Sequence, residues 1–253
     1  MSEKINKEAV KEMFEVGAHY GYSKSRRHPS VSPYIFGAKD GVEIFDLEKV
    51  YGLIEEAKTF IYNLGKEGKV VLFVGGKMES LRPVKEAAES TDMPFVAGRW
   101  IGGTLTNFEE IRKRIERLNE LTEKKTKGLL AGYTKRERLM IDREIEKLEK
   151  RFGGLEEMKR RPAALIVVDT QREDIAVREA IQEGIPVVGI AGSDCDISSI
   201  AYPIATNDSS LASISYFIQQ LVDAYKKGVS EKESASPAST PKTESSTRTS
   251  AKV

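Results

Sequence analysis

The chain has 253 residues, 40% of them hydrophobic, with 40 Lys+Arg against 39 Asp+Glu and a formal net charge of +1. That length and apolar content suit one large folded domain or two small ones and argue against global disorder. The near-neutral balance gives no compositional sign of nucleic acid, the lone Cys195 excludes an internal disulfide, and no segment reaches the ~18 consecutive apolar residues of a membrane span.

The N-terminal MSEKINKEAV is charged and has no apolar core for export, so a reducing, cytosolic setting is expected. The first helix is predicted over residues 7–15. An aromatic glycine turn follows, Gly17-Ala18-His19-Tyr20-Gly21-Tyr22, then a basic, proline-containing loop over 24–33. Tyr34-Ile35-Phe36 and Val42-Glu43-Ile44-Phe45 flank a Lys39-Asp40-Gly41 turn and read as a hairpin. Asp46 stands where it can cap a helix with the apolar face Leu47, Val50, Ile54, Ala57, Ile61 and Leu64, ending at Gly65.

Strands and helices then alternate. Residues 70–74 form a continuous apolar run, the mark of a strand buried on both faces. Residues 82–90 read as a helix with Pro83 in its first turn. Further strands are predicted at 94–97, 163–168 and 185–190, with a helix at 175–183 ended by Gly184. Residues 202–205 form a short edge strand and 211–225 the closing helix. Parallel strands separated by helices define an α/β fold with a doubly wound parallel sheet.

The pattern changes between the second and third of these strands. Phe108, Ile111, Ile115, Leu118 and Leu121 recur at heptad-like spacing, as do Ile141, Ile145, Leu148, Phe152 and Leu155. Thr106-x-x-Glu109 and Thr134-x-x-Glu137 are capping patterns for the two runs, and Gly128 lies in the break between them. Two such helices predict an inserted antiparallel coiled-coil hairpin. Residues 108–161 carry 17 Lys+Arg against 12 Asp+Glu, so a basic arm stands on a mildly acidic body. The expected division is a discontinuous body, 1–107 and 162–229, the hairpin at 108–161, and a tail at 230–253 too polar to offset its ordering entropy.

Candidate chemistry is sparse. Gly75-Gly76-Lys77 follows a strand and precedes a helix, where amides can hold phosphate, but lacks P-loop spacing and reads better as a tight turn with a surface lysine. His19 has no nucleophile or carboxylate at a recognisable offset and reads as a packed histidine. Asp169, Asp194, Asp196 and Asp208 follow strand ends and offer either a cation site or, preferably, caps and turns, with Asp196 and Asp208 at N-cap positions. Lys24, Arg26, Arg27 and His28 sit near Tyr20, Tyr22 and Tyr34, a set equally suited to phosphate contact with stacking or to a solvated loop. In Arg99-Trp100, Trp100 reads as a core anchor and Arg99 as a phosphate contact.

The order of motifs resembles the small-subunit ribosomal protein S2 family. The residues are Gly17-Ala18-His19-Tyr20-Gly21, Arg26-Arg27, Pro33-Tyr34-Ile35-Phe36-Gly37 and Leu72-Phe73-Val74-Gly75. Then come Arg99-Trp100-Ile101-Gly102-Gly103-Thr104-Leu105-Thr106-Asn107, Leu148-Glu149-Lys150 with Gly153-Gly154, and residues 162–169 continued by Glu179 and Gly184-Ile185-Pro186-Val187. The likeness spans roughly residues 8–227. It departs at Tyr22, where the family usually has His, at residues 27–31, and at residues 192–198.

The resemblance implies a flavodoxin-like body with a protruding coiled-coil hairpin, lodged in the cytoplasm on the small ribosomal subunit. It implies small-subunit rRNA and neighbouring ribosomal proteins as partners, including the large single-strand-binding one, and no catalysis; no cofactor and no metal site are expected, the departure at residues 192–198 weakening any family-based cation site. The candidate RNA contacts are Lys24, Arg26, Arg27, Lys39, Arg99, Asn107, Arg112 and Lys113. Two alternatives stay open: a cytosolic α/β enzyme holding a phosphorylated ligand at the strand ends, and a free RNA-binding regulator of the same fold.

Overall fold

The computed structural model describes residues 6–235. Helix α1 (Lys7–Glu15) starts on Asn6, whose side chain accepts from the Glu8 amide. Strands β1 (Tyr20–Ser23), β2 (Ile35–Lys39) and β3 (Val42–Phe45) form a small antiparallel sheet in the order β1-β3-β2. The β2–β3 turn falls at Asp40-Gly41, both with positive φ. Residues 17–22 do not form one long turn. Gly17 turns, with φ 73°, and Tyr20 onward pairs with β3 through an irregular register. A four-residue strand with an internal glycine carries no alternation of its own, so only its pairing partner reveals it.

Helix α2 (Leu47–Glu67) is capped by Asp46 as expected but runs past Gly65 to Gly68, whose left-handed backbone (φ 70°) ends it. Gly65 serves a different purpose. A methyl there would strike the Tyr225 carbonyl of helix α7 (Leu211–Ala235), and one at Gly228 would strike the carbonyl of Tyr62. The two glycines let α2 and α7 touch backbone to backbone. Contacts with α2 also carry α7 past residue 225 and into the segment read as tail: Tyr62 and Lys66 bond Glu231, and Lys232 Nζ donates to the Glu67 carbonyl. The rest of that segment, 236–253, lies outside the described residues.

Strands β4 (Val71–Gly75), β5 (Phe95–Ala97), β6 (Ala164–Val168), β7 (Val187–Ala191) and β8 (Tyr202–Ala205) pair in parallel in the order β5-β4-β6-β7-β8. Counted within the sheet this is two-one-three-four-five, a doubly wound order that reverses between β4 and β6. Every residue of β4, β6 and β7 is buried, as continuous apolar runs require. Helix α3 (Met78–Glu89) joins β4 to β5, and α6 (Asp174–Gln182) joins β6 to β7. Helix α3 begins a turn before the expected start, because the Lys77 carbonyl accepts from the amides of Ser80 and Leu81 and the Ser80 hydroxyl. Pro83 therefore lies inside the helix rather than in its first turn.

Helices α4 (Phe108–Thr126) and α5 (Lys135–Phe152) occupy the connection from β5 to β6. Arg117–Glu144 (3.2 Å) and Lys125–Asp142 (2.7 Å) pair across them. Helix α5 opens on the expected Thr134/Glu137 capping box. Helix α4 does not use Thr106 and Glu109: its cap is Asn107, and the Thr106 hydroxyl donates to Glu179. Ile111, Ile115, Phe152 and Leu155 belong to the main core, whereas Leu118, Leu121 and Ile145 form a second cluster with Ile141 and Leu148. The body's core thus extends two turns into α4, beyond the expected boundary at 108.

Candidate functional site

The carboxyl ends of β4, β6, β7 and β8 meet where a doubly wound sheet ordinarily receives a ligand. Here that space holds the chain's own charges. Lys77 Nζ lies 3.2 Å from Asp169 and 3.4 Å from Asp208, and donates to Tyr22 Oη and Ser209 Oγ at 3.1 Å each. Its side chain is only 13% exposed, so Lys77 is not the surface lysine that the turn suggests. Burial opposes its charge, but Asp208, Tyr22 and Asp169 outweigh burial and raise its pKa. The Asp208 carboxyl is also raised, first by burial and then by the charge of Asp169, against the pull of Lys77. The Gly76 backbone faces the buried Glu173 carboxylate, whose pKa burial raises despite that contact. A buried carboxylate this close to the turn disfavours a phosphate there.

Asp169, Cys195 and Asp208 present ligand atoms within 4.8 Å of one another, a spacing compatible with a cation. The donor set fits one poorly. Two members already share the Lys77 ammonium, and burial above all pushes the Cys195 thiol up to about 12, far from the thiolate a metal needs. Asp196 accepts from the Ser198 amide and hydroxyl, the turn role expected of it. Asp208 does not cap: it faces Lys77 and accepts from Ser209 Oγ.

The N-terminal block is tied to these same loops. The Tyr22 amide donates to Ser193 Oγ (2.8 Å), the His28 amide to the Ser193 carbonyl (2.9 Å), and Asn207 Nδ2 to the Gly17 carbonyl (2.9 Å). His19 is a packed aromatic, stacked on Phe14 and tilted against Tyr20, with its pKa lowered by burial.

A second centre lies at the root of the α4–α5 arm. Glu179 of α6 accepts from Trp100 Nε1 (3.2 Å), the amides of Gly103 (2.7 Å), Leu105 (3.0 Å) and Thr106 (3.3 Å), and the Thr106 hydroxyl (3.2 Å). Burial acts to raise its pKa, yet the donors from Leu105, Gly103, Trp100 and Thr106 hold it below the ordinary value. Trp100 is buried in the body, as an anchor should be. The sequence places Glu179 only on a helix. Its role depends on residues more than 70 positions away, for which no local pattern exists.

The candidate RNA contacts fall into two groups. Arg26 pairs with Asp194 (2.9 Å) and covers the Tyr22 ring, and Arg27 pairs with the buried Glu43 (3.1 Å). Arg112 pairs with Glu116 (3.0 Å) and Lys113 with Glu110 (2.6 Å). Lys24, Lys39, Arg99 and Asn107 are exposed, and the three cations have no ion-pair partner among the described residues. The eight are not one patch: Lys24 to Lys39 belong to the N-terminal block, and Arg99 to Lys113 to the arm root.

Comparison with known proteins agrees with this architecture. The profile of the family described as ribosomal protein S2 matches residues 13–228. Small ribosomal subunit protein uS2 of Coprothermobacter proteolyticus is 40% identical over 219 residues, covering 87% of this chain and 82% of its own length. The uS2 proteins of Roseiflexus sp. and Porphyromonas gingivalis are 41% and 38% identical over 226 residues, covering 89% of this chain and 86% and 80% of theirs.

Proposed function

The chain belongs to the ribosomal protein S2 family, and we propose that it works as a structural, non-catalytic constituent of the small ribosomal subunit in the cytoplasm. The observation that carries this reading is the Lys77 cluster. An enzyme holding a phosphorylated ligand at the strand ends would need Lys77 free, and Lys77 is held between Asp169 and Asp208. Its partners are small-subunit rRNA and neighbouring proteins of that subunit, the large single-strand-binding one among them. The body is flavodoxin-like, and the α4–α5 pair is a coiled-coil arm reaching from it to those partners. Lys24, Lys39, Arg99 and Asn107 face RNA directly, while Arg26, Arg27, Arg112 and Lys113 contribute positive potential from within their ion pairs.

Sedimentation of cell lysate tests this. The protein is expected to migrate with small subunits and to leave them as salt rises, since phosphate contacts release counterions. Migration only as a free protein would favour the regulator of the same fold.

A further inference from the structure

The arm root carries a concentration of cations that nothing within the protein uses. Along α4 and into its C-cap most charges are matched: Arg112, Lys113, Arg117, Lys124 and Lys127 each pair with a glutamate, and Lys125 with Asp142. At the root, Arg99, Arg114, Lys147, Lys150 and Arg151 are exposed and without an ion-pair partner among the described residues. They line two adjoining hollows of about 520 and 550 Å³, with Arg151 on the wall between them. Once paired charges cancel, these five cations face only Glu149 and Glu156 there.

The remaining lining suits a sugar-phosphate chain. Gly98 has open space on its side-chain side, and Gly102 nearly so, which leaves the main chain approachable. None of the large exposed hydrophobic side chains lies in either hollow. A protein partner is ordinarily held by a buried apolar anchor, whereas a phosphate backbone is held by guanidinium, ammonium and main-chain donors.

Resting on the functional reading above, we propose that this root groove seats the phosphate backbone of small-subunit rRNA. Arg114, Lys147, Lys150 and Arg151 are contacts additional to Arg99 and Asn107. The groove straddles the turn that Glu179 organises, so the RNA would hold arm and body at a set angle.

The test is binding of the full chain to naked small-subunit rRNA across a salt series. The variant R114Q/K147Q/K150Q/R151Q is expected to melt with wild type and bind at least ten-fold more weakly at low salt. Its log K against log [salt] slope should be shallower by roughly three, since each lost phosphate contact removes about 0.7–0.9. If the quadruple variant melts early, the four single variants replace it, each expected to remove about one such step. A slope unchanged in these variants overturns the proposal. So does the control K124Q/K127Q, at cations paired with Glu120 and Glu123 away from the groove, if it carries the loss instead. Failure of the wild-type chain to bind rRNA would overturn the functional reading itself.

Discussion

Glu179 accepts a 3.2 Å hydrogen bond from Trp100 Nε1 across 79 positions of sequence, joining α6 to the segment that leads into the arm. The same carboxylate holds the amides of Gly103, Leu105 and Thr106, so one side chain organises the whole turn. With the Thr106 hydroxyl, five donors at this largely buried corner are satisfied by one carboxylate, and α4 leaves the body in a defined direction.

Glu179→Gln keeps the shape and removes the charge. It is expected to cost roughly 2–4 kcal/mol, because an amide cannot accept from so many donors and presents its own. The sign with pH follows from the direction of the shift. A carboxyl held below its ordinary 4.5 on folding adds stability that is full above that value and fades as pH falls through the folded pKa. Wild type should therefore lose more stability than the variant when titrated below about pH 4.5, measured by urea unfolding. Parallel pH profiles would refute this account of Glu179.

Trp100 and Arg99 are neighbours with different work. Trp100→Ala should lower stability by about 3–5 kcal/mol, the usual cost of emptying a buried aromatic site. Arg99→Ala should leave the melting temperature within a degree or two, yet weaken incorporation into small subunits. A stable Trp100→Ala protein excluded from subunits would reverse the two roles.

Lys77→Met takes the ammonium away from Asp169 and Asp208 and leaves two carboxylates facing each other. A loss of about 3–5 kcal/mol is expected at neutral pH. Asp208 already has a raised pKa in the folded protein, so folding favours its protonated form, and that contribution declines as pH rises through the folded value. Without the lysine the effect should grow. The variant should regain stability between pH 8 and pH 5 while wild type changes little. A variant equally unstable at both values would show that Lys77 acts through packing alone.

The two core clusters divide the arm. Replacing residues 118–145 with a short Gly-Ser link should leave a body melting close to wild type but assembling poorly into subunits, since only the outer cluster of Leu118, Leu121 and Ile145 is lost. Replacing 108–155 also removes Ile111, Ile115, Phe152 and Leu155 from the main core and should lower stability by several kcal/mol, at roughly 1–3 kcal/mol per buried side chain. Equal stability of the two truncations would mean the arm root contributes nothing to the core.

The sequence by itself determined the elements whose signal is local. Continuous apolar runs marked β4, β6 and β7, the apolar face and Asp46 cap marked α2, and heptad-like spacing with Thr134 and Glu137 marked the arm helices. Burial on both faces, helical periodicity and capping are written within a few residues of one another, so they survive without a fold to read them in. Family membership was legible for a related reason, since long motifs in a shared order identify a chain without any geometry. Tertiary structure alone decided the pairings at distance. It turned Thr106 from a cap of α4 into a donor to Glu179, buried Lys77 between Asp169 and Asp208, and committed Arg27 to Glu43. It made Gly65 a contact with α7 rather than a helix end, and let α7 continue as far as Ala235. A charged or small residue in sequence offers several partners of nearly equal local merit. Only the closed sheet, by bringing strand ends and helix faces within hydrogen-bonding distance, selects one.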